Sequence, residues 1–139
     1  MTSATLKGTR VLVTGANGFL GRVLVARLRT DGASVHALVL PNEPIPDTWN
    51  DGVTLFRGDV TSEADVARAA AGTTVVFHLA AIVGDAGDDA LHQRVTVGGT
   101  RVVATLCASS KARLVLASSI VVYGDRIGRE VCDESTPHG

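Results

Sequence analysis

Three glycines near the start of the chain have a spacing that suits the binding of a phosphate group. Gly15, Gly18 and Gly21 follow an apolar run at 11–13 and precede a segment with helical periodicity. Where a strand, a turn and a helix follow one another in this way, the first glycine permits the tight turn and the second lets the backbone approach a pyrophosphate. The third lets the helix pack closely on the strand, and the helix N-terminus adds unpaired N–H groups with a partial positive charge. The spacing therefore predicts a site for the pyrophosphate of a dinucleotide.

Polar side chains stand at the ends of three later apolar runs. Asp59 follows the third run, His78 lies near the end of the fourth, and Ser118 and Ser119 end the fifth. Each also has a purely structural interpretation: Asp59 as the cap of the next helix, His78 as a packed histidine, and the serines as strand-end hydrogen-bonding groups. For His78 we favour the structural interpretation. Parallel strands would bring all four residues to the sheet edge that carries the glycine turn.

Apolar runs alternate with segments of helical periodicity, a pattern typical of βαβ units and a parallel sheet. We predict strands at 10–14, 34–40, 53–57, 74–80 and 113–118 and helices at 19–30, 61–71 and 88–110. The first helix should bury Leu20, Leu24 and Leu28, which recur at helical spacing. Right-handed crossovers give the strand order 3-2-1-4-5, with ligands bound where the order reverses. The predicted fold class is α/β, a Rossmann-like doubly wound parallel sheet of about five strands.

The composition narrows the classes of protein. The 139 residues suffice for one domain, and a hydrophobic content of 45% fits a buried sheet. A net charge of −1 gives no electrostatic footprint for nucleic acid, and no apolar run is long enough to span a membrane. The first seven residues lack the apolar core of a signal peptide, and Cys107 and Cys132 are not at metal or redox spacing. We expect a cytoplasmic domain with two reduced thiols.

Five segments, in this order, resemble those of the extended short-chain dehydrogenases/reductases, the family of sugar-nucleotide epimerases and dehydratases. They read TGANGFLG at 14–21, GDV at 58–60, HLAA at 78–81, TVGGT at 96–100 and SSIVVYGD at 118–125. The resemblance implies an NAD(P)-binding domain over residues 1–139, with NAD or NADP as cofactor. It also implies a nucleotide-sugar or another small molecule as the substrate of a full-length form. A P-loop NTPase is excluded because Arg22 and Val23, rather than Lys and Ser or Thr, follow Gly21.

The resemblance assigns the adenine and pyrophosphate contacts to particular residues. It implies that the backbone of Phe19 and Leu20 contacts the pyrophosphate. The Asp59 carboxylate would accept a hydrogen bond from the adenine amino group, with Val60 beside the ring. Arg22 is a cation in the first turn of a helix, which is mildly unfavourable unless an anion is bound there.

The same resemblance assigns the nicotinamide and substrate ends. Segment 79–81 would line the nicotinamide ribose, and Thr96 stands where the family usually has asparagine. Ser119, four residues before Tyr123, would be the catalytic hydroxyl that hydrogen-bonds the substrate oxygen, whereas Tyr123 matches a structural tyrosine. The residues assigned to cofactor binding are Gly15, Gly18, Phe19, Leu20, Gly21, Arg22, Asp59, Val60, Leu79, Ala80, Ala81, Thr96 and Ser118.

The largest departure from the family pattern is the absence of its Tyr-x-x-x-Lys pair. Tyr123 is the only tyrosine, position 127 is isoleucine, and Lys7 and Lys111 are the only lysines. We therefore interpret the chain as a fragment that ends before the sixth strand, the general acid and the substrate region. The alternative is a non-catalytic nucleotide-binding or redox-sensing module. A fragment would leave the fifth strand as an uncovered sheet edge, so we expect self-association.

A second departure concerns the choice between NAD and NADP. The acidic residue that binds a ribose hydroxyl should lie about 20 residues into the motif, but the window 38–41 holds neither an acid nor an arginine. Glu43 is the nearest acidic residue that could supply this contact, although it lies beyond a proline. From the sequence, the choice of cofactor stays open.

Overall fold

The chain, described by a computed structural model over residues 6–84 and 88–139, is built on one parallel sheet. Residues 1–5 and 85–87, which belong to the predicted domain 1–139, lie outside the described residues. Within the described part, five strands form the sheet in the order β3-β2-β1-β4-β5, which confirms the predicted topology and fold class. The strands are β1 Arg10–Thr14, β2 Ser34–Val39, β3 Val53–Arg57, β4 Val75–His78 and β5 Arg113–Leu116.

The helices follow the predicted positions with one internal difference. They are α1 Phe19–Thr30, α2 Glu63–Ala69, α3 Asp89–His92 and α4 Gly99–Ser110, with 3-10 turns at Asp47–Trp49 and Ile120–Arg126. A π-helical segment, Gln93–Gly98, connects α3 to α4, so the prediction of one regular α-helix over 88–110 is wrong there. Within it the Thr96 hydroxyl accepts a hydrogen bond from the Ile82 N–H at 3.0 Å. Insertions of this kind occur often at functional sites.

Two apolar clusters cover the two faces of the sheet. The residues of α1 pack with alternate residues of β1 and β2 on one face, and those of α2 and α4 pack on the other. The first cluster includes Val11, Val13, Val25, Leu28, Val35 and Trp49, and the second includes Leu12, Val66, Val76, Val103 and Cys107. The sheet is thus covered by helices on both faces, as expected for parallel strands.

The buried face of α1 differs from the predicted one. The structure buries Gly21, Val25 and Leu28, whereas Leu20 is 54% exposed. The reason is that Gly21, with no side chain, is the residue that faces the glycine turn, and this sets the rotation of the helix. No helix within residues 6–84 and 88–139 combines the length and the apolar character needed to cross a bilayer.

Candidate functional site

A cavity of about 350 Å³ opens at the carboxyl ends of β1, β2, β3 and β4. This is the edge where the strand order reverses and where ligands bind in open α/β sheets. Of the predicted site residues, five line the cavity: Gly15, Asp59, Val60, Ala80 and Ala81. The sequence-based set missed the other ten lining residues: Thr14, Leu38, Val39, Leu40, Glu43, Gly58, Ile82, Leu91, Arg94 and Val95.

The glycine turn is packed so closely that two of its glycines cannot be replaced without moving backbone. Gly15 has a φ of +62°, and a Cβ there would lie 2.7 Å from the backbone nitrogen of Ala80. A Cβ on Gly21 would overlap the carbonyl oxygen of Gly15 and lie 2.6 Å from that of Ala16. Gly18 is different, because its φ is −69° and a Cβ would meet only the Gly15 oxygen at 3.2 Å. The turn therefore needs Gly15 and Gly21 for its own folding, and the protein itself constrains Gly18 less than these two.

The N-terminus of α1 offers donors for an external anion. Its N-cap residue is Gly18, no side chain caps it, and its first turn holds no acidic residue. The first N–H groups of a helix lack intrahelical partners, so without a side-chain cap they are available to a phosphate. Phe19, the first residue of α1, is 97% exposed.

Arg22 supports the turn from the first turn of α1. Its Nε donates to both the backbone oxygen and the side-chain oxygen of Asn17, each at 2.9 Å. Asn17 in turn donates from Nδ2 to the carbonyl oxygen of Pro44 at 2.7 Å. The structure thus gives Arg22 a structural contact in addition to the cofactor role assigned to it from the sequence.

Asp59 is not the cap of α2, because Ser62 occupies that position and accepts from the Asp65 N–H, and the cofactor contact of Asp59 stays a prediction. The Asp59 Oδ1 accepts hydrogen bonds from the N–H and the hydroxyl of Thr61, both at 2.8 Å, which stabilise the turn into α2. Its Oδ2 has no hydrogen bond among the described residues, and Asp59 lines the cavity. One carboxylate oxygen therefore holds the loop, while the other remains available to a ligand.

Val60 lies between the cavity and α4. A Cβ on Gly99 would come within 3.0 Å of the Val60 side chain, so the glycine allows α4 to approach this residue. Gly98 has no comparable neighbour, since the nearest atom to a Cβ there is a backbone oxygen at 3.5 Å. The glycine at position 99 is thus explained by contact with a loop residue.

A buried hydrogen-bond network forms the end of β4. Thr14 Oγ1 lies 2.6 Å from His78 Nδ1 and accepts hydrogen bonds from the N–H groups of Leu79 and Ala80, both at 3.3 Å. His78 Nε2 lies 3.0 Å from Thr100 Oγ1. Because the Thr14 hydroxyl already accepts from two amides, we assign its O–H as the donor to Nδ1, which leaves Nε2–H to donate to Thr100. His78 is then a neutral histidine that joins β1, β4 and α4.

Burial lowers the pKa of His78 from its ordinary value of 6.5, because desolvation disfavours the imidazolium. The folded protein then binds this proton less readily than the unfolded chain. The contribution of His78 to stability is therefore intact above pH 6.5 and is lost as the pH falls below that value.

We expect the free energy of unfolding to decline between about pH 7 and about pH 5, and to decline less steeply in His78→Gln. Urea denaturation at each pH measures both slopes. The control His138→Gln replaces an exposed histidine and should keep the slope of the unmodified chain. An unchanged slope in His78→Gln would contradict the neutral assignment.

Four of the predicted site residues on β4, β5 and the segments that follow them do not line the cavity: Leu79, Thr96, Ser118 and Ser119. Leu79 is half-buried beside the Thr14 hydroxyl, and Thr96 holds the loop after β4 through Ile82. Ser118 and Ser119 are exposed beyond β5, and the Ser119 hydroxyl accepts from the Val121 N–H at 3.4 Å at the start of a 3-10 turn. Neither serine lines the cavity. The structure therefore does not bring the serines together with the dinucleotide residues in this cavity.

Tyr123 has a structural contact of the kind that its spacing indicates. Its hydroxyl donates to the carbonyl oxygen of Asp133 at 3.0 Å, and its ring meets that of His138 at its edge. Hydrogen bonds from the hydroxyl and N–H of Ser135 lower the pKa of the Asp133 carboxyl. These contacts tie the segment after β5 to the last residues of the chain.

A second depression, of about 580 Å³, lies at the far end of α1. It is lined by Ala26, Arg29, Thr30, Ala33, Asp51 and Gly52. The Arg29 guanidinium is already engaged there with the carbonyl oxygens of Thr48 and Asp51. Since this depression lies away from the carboxyl ends of the strands, the smaller cavity is the candidate site. The described residues contain no group of His, Cys, Asp and Glu that could hold a metal ion.

Comparison with known proteins agrees with this geometry. A 4-hydroxy-2-methyl-3-oxo-4-farnesyl-3,4-dihydroquinoline-1-oxide ketoreductase from Stigmatella aurantiaca is 33% identical over 129 residues, which is 92% of this chain and 39% of that protein. A 3-beta-hydroxysteroid dehydrogenase from Mycolicibacterium neoaurum is 36% identical over 140 residues, 93% of this chain and 37% of that protein.

A solved structure is similar over nearly the same extent. The UDP-glucose 4-epimerase of Thermus thermophilus, in complex with NAD, has 30% sequence identity and a TM-score of 0.81, with 94% of this chain and 44% of that chain covered. The chain thus spans about two fifths of the length of these three relatives. The profile of the NAD dependent epimerase/dehydratase family matches residues 11–138. From this match and the agreement in fold, the chain belongs to the NAD-dependent epimerase/dehydratase family.

Proposed function

We propose that the chain binds an NAD(P) cofactor along the carboxyl ends of the strands, where the cavity lies. The uncapped start of α1, beside a turn with no room for side chains at positions 15 and 21, is the observation that carries this proposal. These features fit a pyrophosphate, because they present N–H donors and backbone with no side chain in the way. Asp59 and Val60 would hold the adenine, and segment 79–81 the nicotinamide ribose.

The bound cofactor would supply hydride transfer, and the substrate would be a small molecule with a hydroxyl or a carbonyl group. A ketoreductase, a hydroxysteroid dehydrogenase and a UDP-glucose epimerase among the relatives support this class, nucleotide-sugars included. Ser119 would hydrogen-bond the substrate oxygen when the rest of a catalytic site is present. A cytoplasmic location remains a prediction from the sequence.

NAD should raise the melting temperature of the chain by about 10 °C at a concentration of about 100 times its Kd. Gly18→Val should abolish this shift, since its side chain would occupy the place of the phosphate while φ at this position suits any residue. Differential scanning calorimetry, with NAD and NADP each tested, measures the effect.

The matched control for this experiment is Ala26→Val, which adds the same side chain to an exposed position of α1. It should keep the full shift. A shift that survives in Gly18→Val, in a protein that is folded by circular dichroism, would show that the dinucleotide binds elsewhere.

A second candidate function is a nucleotide-binding or redox-sensing module without catalysis. Hydride transfer with proton relay needs a phenol whose pKa a nearby cation lowers, and the 139 residues contain no Tyr-x-x-x-Lys segment. A reading frame that continues beyond residue 139 to such a segment supports the enzyme. A stop codon at that point supports the module.

We also propose that the chain self-associates through β5. Within the described residues β5 pairs with β4 alone, and its Val115 and Leu116 are 38% and 48% exposed. Exposed Ile120 and Val121 continue this apolar surface beyond the strand. An uncovered strand edge of this kind is a template for pairing with a second copy.

A further inference from the structure

The end of β2 lacks the charged residue that usually selects a dinucleotide. A carboxylate there binds the ribose hydroxyls of NAD, whereas a nearby arginine accommodates the 2′-phosphate of NADP. In this chain β2 ends with Leu38 and Val39, and Leu40 follows, so none of these positions carries a charge. All three residues nevertheless line the cavity, so a ribose bound at this edge would lie beside them.

A tight turn after β2 brings Glu43 back to the strand end. The Glu43 N–H donates to the carbonyl oxygen of Leu40 at 3.2 Å, and its Oε2 accepts from the Leu40 N–H at 3.3 Å. The carboxylate therefore lies beside the backbone of the residue that follows β2, although it belongs to a residue three positions later. Glu43 also lines the cavity, together with Gly15 and Asp59.

The turn that carries Glu43 is held in place by side chains from two other elements. Arg57 Nη1, at the end of β3, donates to the carbonyl oxygens of Leu40, Pro41 and Glu43 at 3.2, 2.8 and 2.9 Å. Asn17, from the glycine turn, donates to the next carbonyl oxygen along the chain, that of Pro44. These contacts fix the backbone of the turn, and the Leu40 N–H holds the carboxylate itself.

The Glu43 carboxylate at the end of β2 disfavours a 2′-phosphate there. Glu43 and Asp59 are the acidic lining residues of the cavity, and Arg94 is its basic one. Arg57 is engaged with three carbonyl oxygens of the turn. A ribose diol has O–H groups to donate, and an ionised carboxylate can only accept. A phosphate has only negative oxygens to present, so a carboxylate in the same place would repel it.

We propose that Glu43 replaces the missing acidic residue at the end of β2 and selects NAD over NADP by accepting hydrogen bonds from the adenosine ribose. This inference rests on the proposed cofactor site and specifies its ligand. The sequence marks Glu43 only weakly, because this residue lies farther along the chain than the usual acidic residue and precedes a second proline.

The test compares the affinities of NAD, NADP and ADP-ribose for the 139-residue chain and for Glu43→Gln, by isothermal titration calorimetry. The unmodified chain should bind NAD at least tenfold more tightly than NADP. It should prefer ADP-ribose over NADP in the same way, because the selection occurs at the adenosine ribose. Glu43→Gln keeps the shape but removes the charge, and should reduce the ratio about tenfold, through weaker NAD binding and tighter NADP binding. The control Glu134→Gln removes an exposed carboxylate near the end of the chain and should leave the ratio unchanged.

Each outcome bears on a different claim. Equal or tighter binding of NADP by the unmodified chain, or an unchanged ratio in a folded Glu43→Gln, would overturn the assignment of Glu43 while leaving the cofactor site intact. Failure of NAD, NADP and ADP-ribose all to bind would overturn the proposed function, and this inference with it. Circular dichroism of Glu43→Gln establishes that the comparison is made between folded proteins.

Discussion

Gly21→Ala should lower the free energy of unfolding by about 3 kcal/mol, the upper part of the range for overpacking. The added methyl group would overlap the carbonyl oxygen of Gly15 and approach that of Ala16 to 2.6 Å. Both oxygens belong to the backbone of the glycine turn, so neither can move without displacing the turn from the end of β4. Because the backbone of position 21 is helical, the loss would come from this contact and not from an unfavourable φ.

The matched control for this experiment is Gly98→Ala. Position 98 is also a helical glycine, with φ of −63° and ψ of −47°, but the nearest atom to its Cβ is 3.5 Å away. Alanine is favoured over glycine in a helix by up to about 1 kcal/mol, so this variant should be slightly more stable than the unmodified chain. Urea denaturation followed by circular dichroism measures both variants. If Gly21→Ala is as stable as the unmodified chain, the close packing of α1 on the glycine turn is wrong.

Association of the chain should depend on the outer edge of β5. At micromolar concentrations we expect dimers or larger species in sedimentation velocity, because among residues 6–84 and 88–139 β5 pairs with β4 alone and its Val115 and Leu116 are partly exposed. Leu116→Lys should shift the distribution strongly toward monomer, since a charge on an edge strand opposes pairing with another chain.

Val131→Lys provides the control for that effect. Val131 is 97% exposed in the segment after β5, so this variant adds the same charge without altering the strand edge. Its association should match that of the unmodified chain. A monomeric unmodified chain, or equal loss of association in both variants, would rule out pairing through β5.

Most of the fold follows from local patterns and from the rules that connect them. The bounds of α1, at Phe19–Thr30, agree with the predicted 19–30, because a glycine turn starts the helix and the Asp31-Gly32 pair ends it. The sheet order was predictable because right-handed crossovers leave few topologies for alternating strands and helices. Strands β4 and β5 end two residues earlier than predicted. After His78 the backbone turns toward the Thr14 hydroxyl, which an apolar pattern cannot show.

The site was predictable only where a motif marks it. Gly15, Asp59 and Ala80 were identified because their segments have recognisable sequences, and they line the cavity. Glu43 was noted only as the nearest acidic residue and Arg94 was not noted at all, because their positions in the cavity depend on non-local structure. Glu43 reaches the cavity through a turn held by Arg57, 14 residues away in sequence. Arg94 lies in the π-helical segment, and helical periodicity assumes an unbroken α-helix.

The hydrogen bond between Thr14 and His78 joins residues that are 64 positions apart in the chain. Closing so long a loop is slow compared with forming a local turn or helix. A chain that has folded only β1, α1 and β2 therefore carries the glycine turn without the β4 backbone against which Gly15 packs. A dinucleotide would recognise only the late species in which β4 has joined β1. Its presence should then slow unfolding while leaving the rate of folding unchanged. The ligand would thus prolong the lifetime of the folded protein without helping it to fold.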